Sequence, residues 1–239
     1  MGVSMEKQQD FTQEAKKVLD AMNLKKIPLD EELSSIRVER GSIDIEVYEA
    51  EKIEKVVLCT IKLHETGVLE ASVLVWPEEG YDLPIFWCNL TQVPTIMNVP
   101  IFDFIPLLDI VVWPEYAERY MPGLGDLKIK ALEILGDTVL DKATDLPSLV
   151  AYALSPYKIV ANITEDGVTR IPQIAQAYIE EYLMHWKKAD PLPAGPEREF
   201  SIRKKASTRK LMKGNDPGYP FMIDVFGEER THKVFDVVF

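Results

Sequence analysis

Apolar residues along this chain are spaced first as in a helix, then as in strands, then as in helices again. Over residues 10–23, Phe11, Ala15, Val18, Leu19 and Met22 fall on one face, which predicts an amphipathic helix. From residue 33 to 77 the period shortens. Ile43, Ile45 and Val47 alternate with Asp44, Glu46 and Tyr48, as in a half-buried strand. Residues 56–61 and 68–76 are largely β-branched apolar runs, and Gly67 marks a turn between them. Residues 77–80 read as a turn, 83–90 as another strand started by Pro84, and 101–112 as a long apolar run broken by Pro106. The second half of that run, 108–112, predicts a strand. Strands joined in succession by short turns suggest an antiparallel meander.

After Pro114 the helical period returns, with short helices over 115–120 and 127–135 and one short strand over 157–163. The strongest helical signal covers 171–188, where Ile171, Ile174, Tyr178 and Tyr182 share a face and Pro172 suits the first turn. Proline and glycine make 190–196 a loop, and helices are expected near 203–213 and 218–236. The order of elements predicts an α+β fold with helices packed on an antiparallel sheet. With no Gly/Ser linker or charge block dividing it, residues 1–239 are expected to form a single domain.

A net charge of −12 argues against general nucleic-acid binding, which needs a basic footprint. No apolar stretch reaches the ~18 residues of a membrane span. Residues 1–6 show neither a signal peptide nor a myristoylation pattern, because Glu6 stands where Ser or Thr is required. The two cysteines, Cys59 and Cys88, lack C-x-x-C spacing and sit in apolar runs. They read as buried reduced thiols, consistent with a cytoplasmic protein. The three histidines are scattered, so no metal site is expected.

One dense basic cluster stands out in this acidic chain: Arg203, Lys204, Lys205, Arg209, Lys210 and Lys213. It can hold carboxylates or dock an acidic partner; it can equally be a solvated helix face. Asp216 follows in Gly214-Asn215-Asp216-Pro217-Gly218, which is a turn by composition. Beside a pocket, its carboxyl group could instead supply a proton, provided burial raises its pKa. Trp76, Tyr81, Phe86 and Trp87 cluster near Asn89, whose amide needs partners if buried. Nucleophile-elbow, P-loop and dinucleotide motifs are absent.

Two separated segments carry a resemblance. The first is Trp76-Pro77-Glu78-Glu79-Gly80-Tyr81-Asp82-Leu83-Pro84-Ile85-Phe86-Trp87-Cys88-Asn89-Leu90. The second is Asn215-Asp216-Pro217, then Phe226-Gly227-Glu228-Glu229 and a closing Phe239. Together they resemble the ferredoxin-dependent bilin reductases of the phycocyanobilin:ferredoxin oxidoreductase type. Asp109-Ile110-Val111-Val112-Trp113-Pro114-Glu115-Tyr116 and Ser155-Pro156 look more like the red chlorophyll catabolite reductase branch.

The resemblance implies a three-layer α/β/α sandwich with a central antiparallel sheet. It also implies an enzyme acting on CH–CH groups of a linear tetrapyrrole, biliverdin or a related bilin. Electrons would come from reduced [2Fe–2S] ferredoxin, with no bound cofactor. Radical chemistry and a monomer are expected, in the cytoplasm or, after loss of a transit peptide, the plastid stroma. Asp216 falls on the family's C-terminal proton-donating aspartate, and Asn89 where many members have a central aspartate. Ser72 falls where phycocyanobilin-forming enzymes have a histidine, and Thr60 where they have a glutamate. Asn98 falls near a propionate-contacting position. Catalytic roles are therefore expected at Asp216 and Asn89, and substrate contacts at Ser72, Asn98, Arg209 and Lys213. The loss of ionisable groups at Thr60, Ser72 and Asn89 suits a single two-electron step better than a two-site reduction. The alternatives are a bilin-binding protein without catalysis and a red chlorophyll catabolite reductase-like enzyme.

Overall fold

The computed structural model describes residues 5–141 and 149–239, with side chains from residue 11 onward except those of 151 and 152. The side chains of residues 1–6, on which the targeting reading rests, thus lie outside the described residues. Chain order begins with helix α1 (Met5–Leu19), strand β1 (Lys25–Ile27), helix α2 (Glu31–Ser34) and strand β2 (Ser35–Val38). The meander follows: β3 (Gly41–Ala50), β4 (Ile53–Leu63), β5 (Val68–Pro77), β6 (Ile85–Val93) and β7 (Met97–Ile105). Then come α3 (Pro114–Tyr120), α4 (Leu124–Leu135), β8 (Val139–Asp141), β9 (Ile159–Val160), β10 (Asn162–Ile163) and α5 (Glu165–Val168). The chain closes with α6 (Ile171–Lys188), α7 (Pro196–Asn215), α8 (Tyr219–Phe226) and α9 (Glu228–Val238).

Among the described residues the main sheet is eight-stranded, in the order β1-β3-β4-β5-β6-β7-β9 with β2 also on β3, and every pairing is antiparallel. Strand alternation divides the core into two layers. Val56, Leu58, Val73, Val75, Phe86, Cys88, Phe102 and Phe104 pack toward α1, α3, α4 and α6. Val57, Cys59, Leu74, Trp76, Ile85, Ile101 and Ile105 pack toward α7, α8, α9 and the terminal Phe239. Helices thus cover both faces of the sheet, as expected for the α/β/α sandwich.

Four expectations need correction. The strand expected over 157–163 is two short strands in separate sheets, β9 on β7 and β10 on β8. The strand in the long apolar run is its first half, within β7, and not 108–112. Pro106 ends the ladder, and the Asp109 carboxylate accepts the Val111 and Val112 N–H groups at 2.8 and 3.0 Å, bending that stretch into a turn with both valines exposed. The segment 218–236 is two helices, because Gly227 between them adopts φ +84°, which only glycine takes without strain. The helix expected at 203–213 starts earlier, at Pro196, whose fixed φ suits a first turn. Among the described residues no helix is long and apolar enough to cross a membrane.

Candidate active site

The C-terminal face of the sheet is apolar except for a band across the middle strands. Cys59 of β4 pairs with Ser72 of β5, Ser72 with Asn89 of β6, and Asn89 with Ile101 of β7. These positions share the face covered by α7 to α9. Ser72 and Asn89 are buried, at 7% and 3% exposure. Glu70, two residues before Ser72 on β5, points the same way by alternation. It is the only charged residue of β5, in a strand otherwise apolar or small.

Glu70 and Asn89 form the polar centre of this face. The Asn89 amide donates to Glu70 Oε1 at 2.9 Å, and Asn89 Oδ1 accepts the Thr91 hydroxyl at 3.0 Å. A buried amide needs such partners, and these fix its orientation. Asp216 approaches from the opposite layer. It lies where α7 ends, and its Oδ1 accepts the Gly218 N–H at 2.7 Å just before α8. A Cβ on Gly218 would lie 3.0 Å from that oxygen, so glycine gives the carboxyl room.

Burial shifts both acids in the same direction. Desolvation, reinforced by the charge of Asp216 and partly opposed by the Asn89 bond, raises the Glu70 carboxyl from 4.5 to about 8. Asp216 is raised by desolvation, against the Gly218 bond. Cys59, on the same face, has its thiol pushed well up by burial and by Glu70, and stays protonated. The arrangement favours the protonated form of both carboxyl groups between the sheet and the α7–α8 corner, and holds a proton on Glu70 near neutral pH. No group of three or more His, Cys, Asp or Glu residues among the described residues could hold a metal ion.

Of the residues expected from the sequence, the structure brings Ser72, Asn89 and Asp216 to one region. Glu70 was missed, although a lone carboxylate two positions from Ser72 in an apolar strand was a visible signal. Asn98 goes elsewhere. It shares alternation with Phe102, on the face toward α6, and its groups are taken by Gln92, Asn162 and the Ile163 carbonyl. Thr60 likewise alternates with Leu58, away from Asp216. Arg209 and Lys213 are committed within the protein. Arg209 pairs with Glu54 at 2.9 Å and lies 4.6 Å from the Trp76 ring centroid, and Lys213 pairs with Asp236. Lys205 also pairs with Glu54 and is buried, so half of the basic cluster braces α7 and α9 against β4 and β5. A cavity of about 350 Å³ lies at the sheet edge, lined by Lys26, Ile27, Leu29, Ser34, Ile45 and Val47, away from the acid pair.

The family model for ferredoxin-dependent bilin reductase matches residues 12–238. The chain belongs to the ferredoxin-dependent bilin reductases. Among solved structures it is similar to phytochromobilin synthase from tomato in complex with biliverdin, with a TM-score of 0.79 and 20% identity over 97% of this chain and 81% of that one. That likeness agrees with the fold described above. No curated protein matches the chain.

Proposed function

We propose that this bilin reductase carries out one two-electron reduction of biliverdin or a related linear tetrapyrrole, with Asp216 and Glu70 as its acids. The pigment lies between the sheet and α7 to α9. Ferredoxin supplies two electrons one at a time; two protons convert the reduced double bond to a CH–CH unit. Asp216, on the helical side of the pair, gives the first proton. Glu70 holds the second, and Asn89, which cannot readily donate a proton to carbon, orients Glu70. The protein thus supplies binding, position and protons, and the electron carrier supplies reducing power. The observation that carries this reading is the raised carboxyl pair, Glu70 bonded to Asn89 and facing Asp216.

Ser72 and Asn89 are not ionisable, and that favours a second reading in which the protein holds a bilin without reducing it. Single-turnover absorbance with biliverdin and excess reduced ferredoxin separates the two. Asp216→Asn should keep ligand binding, lose ~10²–10⁴-fold in rate and accumulate a one-electron pigment radical. Wild-type turnover by Asp216→Asn would remove Asp216 from the mechanism. A spectral shift on binding without bleaching of the biliverdin bands in the wild type would leave the binding protein.

A further inference from the structure

The half of the basic cluster not used to brace α7 forms an outward stripe. In α7, Ser201, Lys205, Thr208 and Met212 are buried and define the inner face. Arg203 and Lys210 lie opposite that face, both exposed, two helical turns or ~10 Å apart. Between them Ala206 and Ser207 are exposed and small, so nothing rises above the two cations. Neither cation forms an ion pair among the described residues, whereas Lys205, Arg209 and Lys213 all do. The acids of α7, Glu197 and Glu199, are confined to its first turn. The 200–215 stretch therefore has six cations and no acid, in a chain of net charge −12.

An apolar knob flanks this stripe. Val111 and Val112 are 84% and 62% exposed at the Asp109 turn. Trp113 anchors that turn to α7 by packing on Phe200, with ring centroids 4.6 Å apart. The Asp109 carboxylate, held by the Val112 and Val111 N–H groups, also feels Lys204. Exposed apolar side chains beside unpaired cations are the composition of a docking surface for an acidic protein. Its position suits electron delivery: Lys210 is six residues, or ~9 Å along the helix, from Asp216.

We propose that the Arg203–Lys210 stripe of α7, with the Val111–Val112 knob at its flank, is the surface on which an acidic [2Fe–2S] ferredoxin docks. This rests on the ferredoxin dependence described above and assigns it a place. The family's ferredoxin dependence decides the occupant, and an acidic ferredoxin brings carboxylates to the two unpaired cations of the stripe.

Direct binding tests the surface without requiring turnover. A plant-type ferredoxin is titrated calorimetrically at low ionic strength into the wild type, into Arg203→Glu/Lys210→Glu, and into Lys25→Glu, which reverses an exposed cation on β1. The double reversal should weaken Kd about tenfold or more, and the charge-keeping pair Arg203→Lys/Lys210→Arg should restore it. Lys25→Glu should bind as the wild type does. Biliverdin titration should give the same absorbance change in all four proteins, which verifies the fold. Equal ferredoxin binding by wild type and double reversal, no binding by the wild type, or equal weakening by Lys25→Glu each overturns the proposal. The function reading fails separately: a wild type that binds ferredoxin through this stripe but leaves biliverdin unreduced supports the surface and sinks the reductase.

Discussion

Glu70 should cost the free protein stability at neutral pH, and replacing it with glutamine should return that stability. The carboxyl group is raised from 4.5 to about 8 in the folded chain, chiefly by desolvation. An acid raised on folding is favourable to the fold below its unfolded value; that contribution is lost as pH rises from the unfolded toward the folded value. At pH 7 the group sits ~2.5 pH units above its unfolded value and must still hold a proton, which costs about 3 kcal/mol at ~1.4 kcal/mol per unit. Glutamine needs no such proton, and its Oε1 can still accept the Asn89 amide. Glu70→Gln should therefore raise the urea midpoint at pH 7, by up to about 3 kcal/mol in unfolding free energy, and change little at pH 4.5. The assay is urea denaturation of the pigment-free protein at both pH values, with the slope checked for constancy. If Glu70→Gln destabilises by the same amount at both, Glu70 is an ordinary polar side chain, and the physical basis for its role as a proton reserve fails. The same variant should slow single-turnover reduction, so stability and activity move in opposite directions, as expected of a strained site.

His185 offers a pH test from the opposite layer. It is 1% exposed between Phe104 and Tyr120, and burial lowers it from 6.5 to about 4 despite Glu181 at 3.7 Å. A base lowered on folding stabilises above its unfolded value and loses that as pH falls, so stability should drop by about 3 kcal/mol between pH 6.5 and 4. His185→Phe should flatten this arm of the thermal stability profile; an unchanged profile would reject the assignment. Glu54→Gln should cost about 2 kcal/mol in urea denaturation, because Lys205 is buried and Arg209 half-buried against it; this is less than the ~3–5 kcal/mol of a wholly buried pair. Asp20→Asn, breaking the exposed Lys16 pair, should cost under ~0.5 kcal/mol, and a similar loss in both variants would refute the bracing role.

The alternation of Ile43, Ile45 and Val47 and the apolar runs of β4 and β5 made the sheet legible, because burial on a pleated face writes a period into the sequence. The helical period of α6 was legible for the same reason. The 101–112 run was misassigned because an apolar run does not say which half is paired; the Asp109 turn is decided by one side-chain oxygen. The motif around Asp216 put it next to the C-terminal helices, and the fold brings it to the Glu70–Asn89 face. Glu70 was not chosen because only folding reveals the burial that raises it and the charge of Asp216, 146 positions away, that adds to it. Arg209 and Lys213 looked available because sequence shows charge but not the Glu54 and Asp236 that consume it.

The hydrogen bond from Gly218 to Asp216 gives the proposed acid a second property. The carboxyl group sits at the amino-terminal end of α8, so the anion left after proton donation is met by an N–H already in place, at 2.7 Å. No rearrangement is needed to receive the new charge. The same contact links the chemistry to the C-terminal layer, since α8 is seated on the sheet by Met222 and Phe226. A change of charge at Asp216 is therefore felt first at the start of α8, through the Gly218 N–H.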